Sequence, residues 1–344
     1  MELNDRRRKI LRAIVEDYVL TAEPVGSSYL LKNHDLGVSS ATVRNEMATL
    51  EEMGYLDKPH TSAGRIPSYL GYRVYVDELM SQYTLTMREI NQIRLSLKNQ
   101  YLELDKLIRT VSNVASMLTN YTTIITSSCD SEEIIKNIRL IYIDRYSFVI
   151  ILVMGEGYVK NKTIRTQSPI ESDVVEKLSN YLANRFTGVE ISAITEDVVA
   201  SEKELLPVEE GLLNSVFDFI LKTASSVGDG EVIVSGENNI FDYPEFNDIN
   251  RTKDFLHLIR EDNKEFIKEI SGSDDNCVSV TIGKENPILA RHDLSAVSLN
   301  YKFGNNVKGK LAILGPTRME YAKVVSTLRF LAQCIDEYIN RSDL

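Results

Sequence analysis

Chemically reactive side chains are scarce in this chain. Its 344 residues hold three cysteines, Cys129, Cys277 and Cys334, far apart and outside any C-x-x-C spacing, which argues against a disulfide framework or a zinc site. Four histidines, His34, His60, His257 and His292, leave a Ser–His or Cys–His nucleophile to a chance tertiary meeting. The chain lacks G-x-G-x-x-G, G-x-x-x-x-G-K-[ST], H-E-x-x-H and G-x-S-x-G, and with them the phosphate-cradling loop, the zinc-protease helix and the nucleophile elbow. No carboxylate pair stands out on an apolar background, so general acid–base work has no candidates. No catalytic residue, metal or cofactor is expected. Long apolar runs are missing too: the longest, Phe148 to Met154, is far too short to span a bilayer. Arg6-Arg7-Arg8-Lys9 leads into an amphipathic helix rather than a secretory leader, so a cytoplasmic protein without a membrane partner is expected.

The N-terminal quarter is richer in signals. Ile10, Leu11, Ile14, Val15, Tyr18 and Val19 form an apolar stripe on a helix that Asn4 can cap and Pro24 ends. Gly26, Ser27 and Ser28 open a second, short helix, and Asp35-Leu36-Gly37-Val38 supplies a tight turn in which Gly37 is free to take positive φ. Ser39 or Ser40 can cap a third helix running to about Met53, with Gly54 at its left-handed C-terminal position. Val43, Met47 and Leu50 face the core at that spacing, and Ser40, Thr42, Arg44, Asn45 and Thr49 point elsewhere.

Short polar groups with one arginine suit a helix seated in a DNA major groove, where Arg or Asn can pair two atoms of a base edge at once. After Tyr55-Leu56, the run Lys58-Pro59-His60-Thr61-Ser62-Ala63-Gly64-Arg65 reads as a basic, turn-rich loop, the wing of a winged helix-turn-helix. The expected DNA contacts are therefore Arg44 and Asn45 on base edges, Ser39, Ser40 and Thr42 on phosphates or bases, and Lys58, His60, Thr61 and Arg65 from the wing. The bland alternative is a solvated helix face beside a surface hairpin; the coincidence of cap, turn, helix and basic loop weighs against it. The net charge of −11 fits once it is partitioned. Residues 1–75 hold ten Lys/Arg and ten Asp/Glu, whereas the other 269 hold 29 and 40. An acidic body repels phosphate away from the docking face and keeps nonspecific affinity weak.

These residues resemble the HrcA family of heat-inducible transcription repressors. The likeness lies in Ala41-Thr42-Val43-Arg44-Asn45-Glu46-Met47, Leu50-Glu51-Glu52, Lys58 to Pro67 and Gly71-Tyr72-Arg73. It continues at Ile282-Gly283-Lys284-Glu285-Asn286-Pro287 and Gly315-Pro316-Thr317-Arg318-Met319-Glu320-Tyr321, so it spans nearly the whole chain. Ser68-Tyr69-Leu70 departs from the more polar trio expected there.

Past the wing, Ile90, Ile93, Leu97, Leu104, Leu107, Val111, Val114 and Leu118 predict one long helix over 87–118, its seam either pairing two subunits or packing on its own domain. Residues 137–144, 146–154 and 158–166 alternate as a three-strand meander, and Val174, Val175, Leu178 and Leu182 return to helical spacing, as do Leu212, Leu213, Val216, Phe217 and Ile220. Strands are predicted over 121–126, 231–235, 277–283, 294–303 and 308–314, and a last helix over 318–340 with Thr317 and Glu320 as its capping box.

The fold class expected is α+β: a winged helix-turn-helix over 1–76, a GAF-like domain with its linker helix over 77–133 and 229–344, and an inserted domain over 134–228. An alternative boundary begins the insertion near Ser168. The resemblance implies the GAF-like character, dimerisation through the insertion, repression at the CIRCE inverted repeat on double-stranded DNA, and activity favoured by the chaperonin GroEL. Two rivals are a regulator whose GAF-like domain senses a small metabolite and an interaction module that no longer reads DNA.

Overall fold

The computed structural model describes residues 3–60, 63–97, 104–129, 134–155, 158–229, 231–260, 266, 270, 277–303 and 307–342. Three helices come first: α1 (Asp5–Thr21), α2 (Ser27–Asn33) and α3 (Ser40–Glu52). The Asn4 side chain accepts from the Arg7 amide at 2.9 Å and starts α1, whose stripe Ile10, Leu11, Ile14 and Val15 is buried. Gly37 takes φ +63° in the turn between α2 and α3, and Gly54 takes φ +79° after α3. A two-stranded sheet follows, β1 (Leu56–Asp57) with β2 (Ile66–Pro67), and Val25 adds a bridge to Arg65 beside it.

Helix α4 (Tyr69–Val74) runs on into a wider turn over Tyr75–Leu79, in which the Met80 amide reaches back five residues to the Tyr75 carbonyl. A Cβ on Gly71 would lie 2.2 Å from the Tyr55 carbonyl oxygen, so α4 approaches the start of β1 as only glycine allows. Gly71→Ala is expected to destabilise the fold by about 1–3 kcal/mol in urea unfolding, the usual cost of overpacking against an atom that cannot give way. Gly211→Ala, whose Cβ meets nothing closer than 3.9 Å, is expected to be neutral or slightly stabilising; equal effects at the two sites would refute the close approach.

The body is an antiparallel five-stranded sheet in the order β7-β3-β10-β9-β8, built from β3 (Thr122–Cys129), β7 (Glu231–Ser235), β8 (Ser279–Ile282), β9 (Leu294–Phe303) and β10 (Val307–Pro316). Its period-two alternation sends side chains to two cores. Ile125, Val297, Leu311 and Ile313 join a core with α5 (Met87–Leu97), α6 (Leu104–Thr119), the C-terminal α12 (Tyr321–Ser342) and the N-terminal helices. Ile124, Ala296, Ala312 and Leu314 pack on the other face with Phe246, with Phe255 of α10 (Ile249–Leu258) and with Leu289 of α11 (Pro287–Arg291).

A third core lies wholly within residues 135–220, where the meander β4 (Ile135–Asp144), β5 (Ser147–Met154) and β6 (Tyr158–Arg165) packs against α7 (Ser172–Phe186), α8 (Glu196–Leu205) and α9 (Glu210–Asp229). The α7–α8 contact is fastened by Glu202, which accepts from Tyr181 at 2.5 Å and Arg185 at 2.6 Å. Burial opposes the carboxylate, but these two bonds prevail and hold its pKa below the ordinary value.

Two expectations need correction. The single helix over 87–118 is instead a hairpin of α5 and α6, since Gln92 Nε2 donates to Met117 Sδ at 3.5 Å. Those residues would stand about 37 Å apart along one straight helix. Ile93, Leu97, Leu107, Val111 and Val114 are buried within the chain, so the seam is closed by its own fold; Gln100, which interrupts the apolar spacing in sequence, lies outside the described residues. The capping box at Thr317 is also absent. Its amide and hydroxyl both donate to the Asp293 carbonyl at 3.0 Å, and α12 begins only at Tyr321.

Candidate nucleic-acid interface

The expected contact helix, α3, is held from behind. Glu46 points back to α1, accepting from Arg7 Nε at 2.8 Å and Arg6 Nη1 at 3.5 Å, while His34 and Asp17 join the end of α2 to α1 at 2.9 Å. Three of the four cations in the Arg6–Lys9 run are therefore paired within the chain, Arg8 with Glu78 at 2.9 Å. Val43, Met47 and Leu50 anchor the inner face of α3, which leaves Arg44 and Asn45 exposed on the outer one.

At the N-terminus of α3, Ser39 Oγ accepts the Thr42 amide at 3.2 Å and lies 2.9 Å from Thr42 Oγ1. Ser39 is exposed, and Ser40 and Thr42 are half-buried on the same end of the helix. Thr49, one turn beyond Asn45, donates to the Asn45 carbonyl at 3.1 Å, so its hydroxyl is engaged with its own helix.

Arg44 and Lys58 line one open cleft of about 420 Å³, with Ser27 and Ser28 of α2 and Gly64 of the β1–β2 loop. A Cβ on Gly64 would sit 2.4 Å from the Val25 carbonyl oxygen, so the loop lies against the chain entering α2 and the cleft has a fixed wall. Three cations, Arg44, Lys58 and Arg65, with two hydroxyls and the face of α3 around one opening, are a set of groups suited to phosphate oxygens. Lys58 and His60 stand exposed on the loop, and the Ala63 amide closes a turn onto the His60 carbonyl at 3.0 Å. Thr61 and its neighbour Ser62 lie outside the described residues.

Arg65 is placed differently from expectation. Its side chain is only 16% exposed, Nη2 pairs with Glu51 Oε2 at 2.6 Å, and its backbone is bridged to Val25 in both directions. It touches the cleft wall but serves to fasten the loop to α3; a loop crossing the end of a helix bearing Glu51 gives that cation an internal partner. Ser27 and Ser28, absent from the expected contacts, also line the cleft. Their signal in the sequence was two small hydroxyls at a helix start, indistinguishable there from capping.

No cluster of three or more potential metal ligands occurs among the described residues, and among them no helix is long and apolar enough to cross a membrane.

A family model described as the HrcA protein C-terminal domain matches residues 105–325. The chain is 39% identical over 346 residues to the heat-inducible transcription repressor HrcA of Clostridium tetani (strain Massachusetts / E88), covering 100% of this chain and 98% of that protein. It is 37% identical to the HrcA repressor of Ruminiclostridium cellulolyticum over 98% of each chain. A crystal structure of a hypothetical protein at 2.2 Å resolution shares the fold with a TM-score of 0.76 and 22% identity, covering 99% of this chain and 100% of that one. With a family model matching residues 105–325 and relatives of the same name along its whole length, the chain belongs to the HrcA family of heat-inducible transcription repressors.

Proposed function

We propose that this protein is a cytoplasmic homodimeric repressor of heat-shock chaperone operons, presenting two winged helix-turn-helix units to a CIRCE-type inverted repeat. The observation that carries the reading is the cleft in which Arg44 of α3 and Lys58 of the wing face one opening. Arg44 and Asn45 read base edges, Ser39, Ser40 and Thr42 meet the strand at the start of α3, and Lys58 and His60 reach phosphates or the adjacent minor groove. Residues 1–76 are the DNA-binding domain, 77–133 with 229–344 the GAF-like domain, and 134–228 the inserted dimerisation domain. The separate apolar core within 135–220 supports that division.

Dimerisation through the insertion has its own support. The meander packs one face on α7 and leaves the other with Ile141 at 51% exposure, Ile143 at 52% and Val159 at 48%. Val149, Ile151 and Val153 of the central strand lie between them on that face, Val149 opposite Ile141 and Val153 opposite Val159. An exposed apolar cluster of this kind, sharing its face with Arg139, Asn161 and Thr163, suits an isologous contact with a second copy. The chaperonin GroEL, which the family implies, acts in this reading by raising the active fraction of a marginally stable repressor; heat diverts it to other clients and releases repression.

The test is fluorescence anisotropy of a labelled inverted repeat against a scrambled duplex, at two salt concentrations, with and without chaperonin. Tighter binding to the repeat, enhanced by chaperonin, is expected; equal, weak, salt-sensitive binding to both duplexes would remove the operator assignment. In the same titration Lys58→Ala should weaken both duplexes alike and reduce the salt slope by about one per subunit, because one phosphate neutralisation is lost. A slope identical to wild type would take Lys58 off the DNA.

A further inference from the structure

The run Gly315-Pro316-Thr317-Arg318-Met319-Glu320-Tyr321 has no place in the DNA-binding cleft, yet its geometry is tightly determined. Thr317 is held twice by the Asp293 carbonyl, the Glu320 amide donates to Tyr121 Oη at 3.1 Å, and the buried Tyr321 donates to the Thr317 carbonyl at 2.5 Å. A Cβ on Gly315 would lie 2.6 Å from the Tyr121 ring, so the strand end is seated against that tyrosine.

Arg318 projects from this braced loop with its side chain 9% exposed. Nε and Nη2 fork onto Glu245, the second at 3.1 Å, and the guanidinium lies 5.6 Å from the centre of the Tyr243 ring. Tyr243 stacks on Tyr121 at 5.3 Å and donates to the Asn120 carbonyl at 3.0 Å. Burial alone would lower the Arg318 pKa, but the Glu245 carboxylate holds it above the ordinary arginine value, so the cation is permanent.

The remaining nitrogen, Nη1, leaves the body altogether: it donates to the Val19 carbonyl at 2.9 Å. Val19 is in the last turn of α1, where carbonyls have no partner within the helix and the helix dipole favours a cation. Helix α1 is in turn fixed to α3 through Arg6, Arg7 and Glu46. Further bonds join the same pair of bodies at α4: Tyr69 Oη donates to Asp293 Oδ1 at 3.2 Å, and Arg73 donates from Nε to Glu285 Oε1 and from Nη2 to the Val280 carbonyl, both at 2.7 Å.

We propose that Arg318, clamped by Glu245, is a positioning residue for operator recognition: by holding the end of α1 it sets the angle of the DNA-binding unit on the body, and so the half-site spacing that a dimer accepts. The inference rests on the dimeric, DNA-reading function proposed above. Its physical content is leverage. B-DNA advances about 34 Å in about ten base pairs, so a spacer changed by about two base pairs moves a half-site by about 7 Å and turns it by about 70°. A DNA-binding unit fastened to the body at the end of α1 as well as at α4 cannot follow that change, whereas one released at α1 has more freedom to adjust.

The experiment measures anisotropy of the full-length protein on inverted repeats with the native spacer and spacers altered by about two base pairs, and on a single half-site. The variant is the double substitution Arg318→Gln, Glu245→Gln, which removes both charges and leaves no unpaired buried ion; Glu245→Gln alone serves if the double variant does not fold. Wild type should prefer the native spacer by about tenfold or more, and the variant by about twofold, with half-site affinity unchanged. Retention of the sharp spacer preference would overturn the proposal. So would an equal loss on the single half-site, since that would make Arg318 a mere support for the DNA-binding fold. A wild type that binds the repeat no better than one half-site would overturn the dimeric reading and this inference with it.

Discussion

Arg44→Ala should lower affinity for the inverted repeat by between about thirtyfold and about ten-thousandfold while leaving affinity for scrambled DNA almost unchanged. The range follows from the chemistry of the contact. A guanidinium that forks onto the O6 and N7 of guanine discriminates by about 1–3 kcal/mol, and a symmetric dimer uses it twice, giving about 2–6 kcal/mol in all. The helix that bears it should survive. Arg44 is exposed, and no ion pair or hydrogen bond of its side chain occurs among the described residues; its neighbour Glu46 carries the bonds that hold α3 to α1. Arg44→Lys should behave more like alanine than like arginine on the repeat, because an ammonium keeps the charge but loses the planar fork. Competition anisotropy with repeat and scrambled duplexes reads both effects. Unchanged selectivity in the alanine variant would mean that another element enters the groove.

The legibility of the chain differs between its parts for physical reasons. Helix α3 was readable because its signals are local: the Ser39 cap, the Val43–Met47–Leu50 spacing and the positive φ at Gly54 act within a few residues of one another. The meander was readable because its apolar alternation has a short period. The hairpin of α5 and α6 was not, because a heptad pattern records which face is apolar and not whether that face meets another subunit or the same chain folded back. The internal pairing of Arg65 was hidden for a similar reason. A basic residue in a basic loop reads as a phosphate contact, and only the crossing of that loop over the end of α3 reveals that Glu51 takes it first. Thr317 shows the limit of motif reading: a Thr three residues before a Glu matches a capping box, yet Asp293, 24 residues upstream in sequence, claims its hydroxyl.

Ile141→Asp should abolish the dimer while leaving each subunit folded. In a single chain Ile141 is 51% exposed on the outer face of β4, opposite Val149, so a carboxylate there stays in water and costs the subunit little beyond β-propensity, at most about 1 kcal/mol. In an isologous dimer that uses this face, the same change buries two carboxylates, one from each copy, against Val149, Ile151 and their symmetry mates. The penalty is several kcal/mol per ion, and Arg139, the cation two residues before Ile141 on β4, is turned toward Asn180 at 3.5 Å. Sedimentation equilibrium should then give the mass of a single chain, and circular dichroism an unchanged folded spectrum, with the core formed by Phe148, Leu178, Leu182 and Phe217 intact. The consequence for DNA follows from avidity. A monomer retains Arg44 and its half-site contacts but loses the second, tethered binding event, so its advantage on the repeat over a single half-site should vanish, a drop of about a hundredfold or more. A variant that remains dimeric would move the interface away from this sheet face, and one that becomes monomeric yet keeps full preference for the repeat would separate operator recognition from dimerisation.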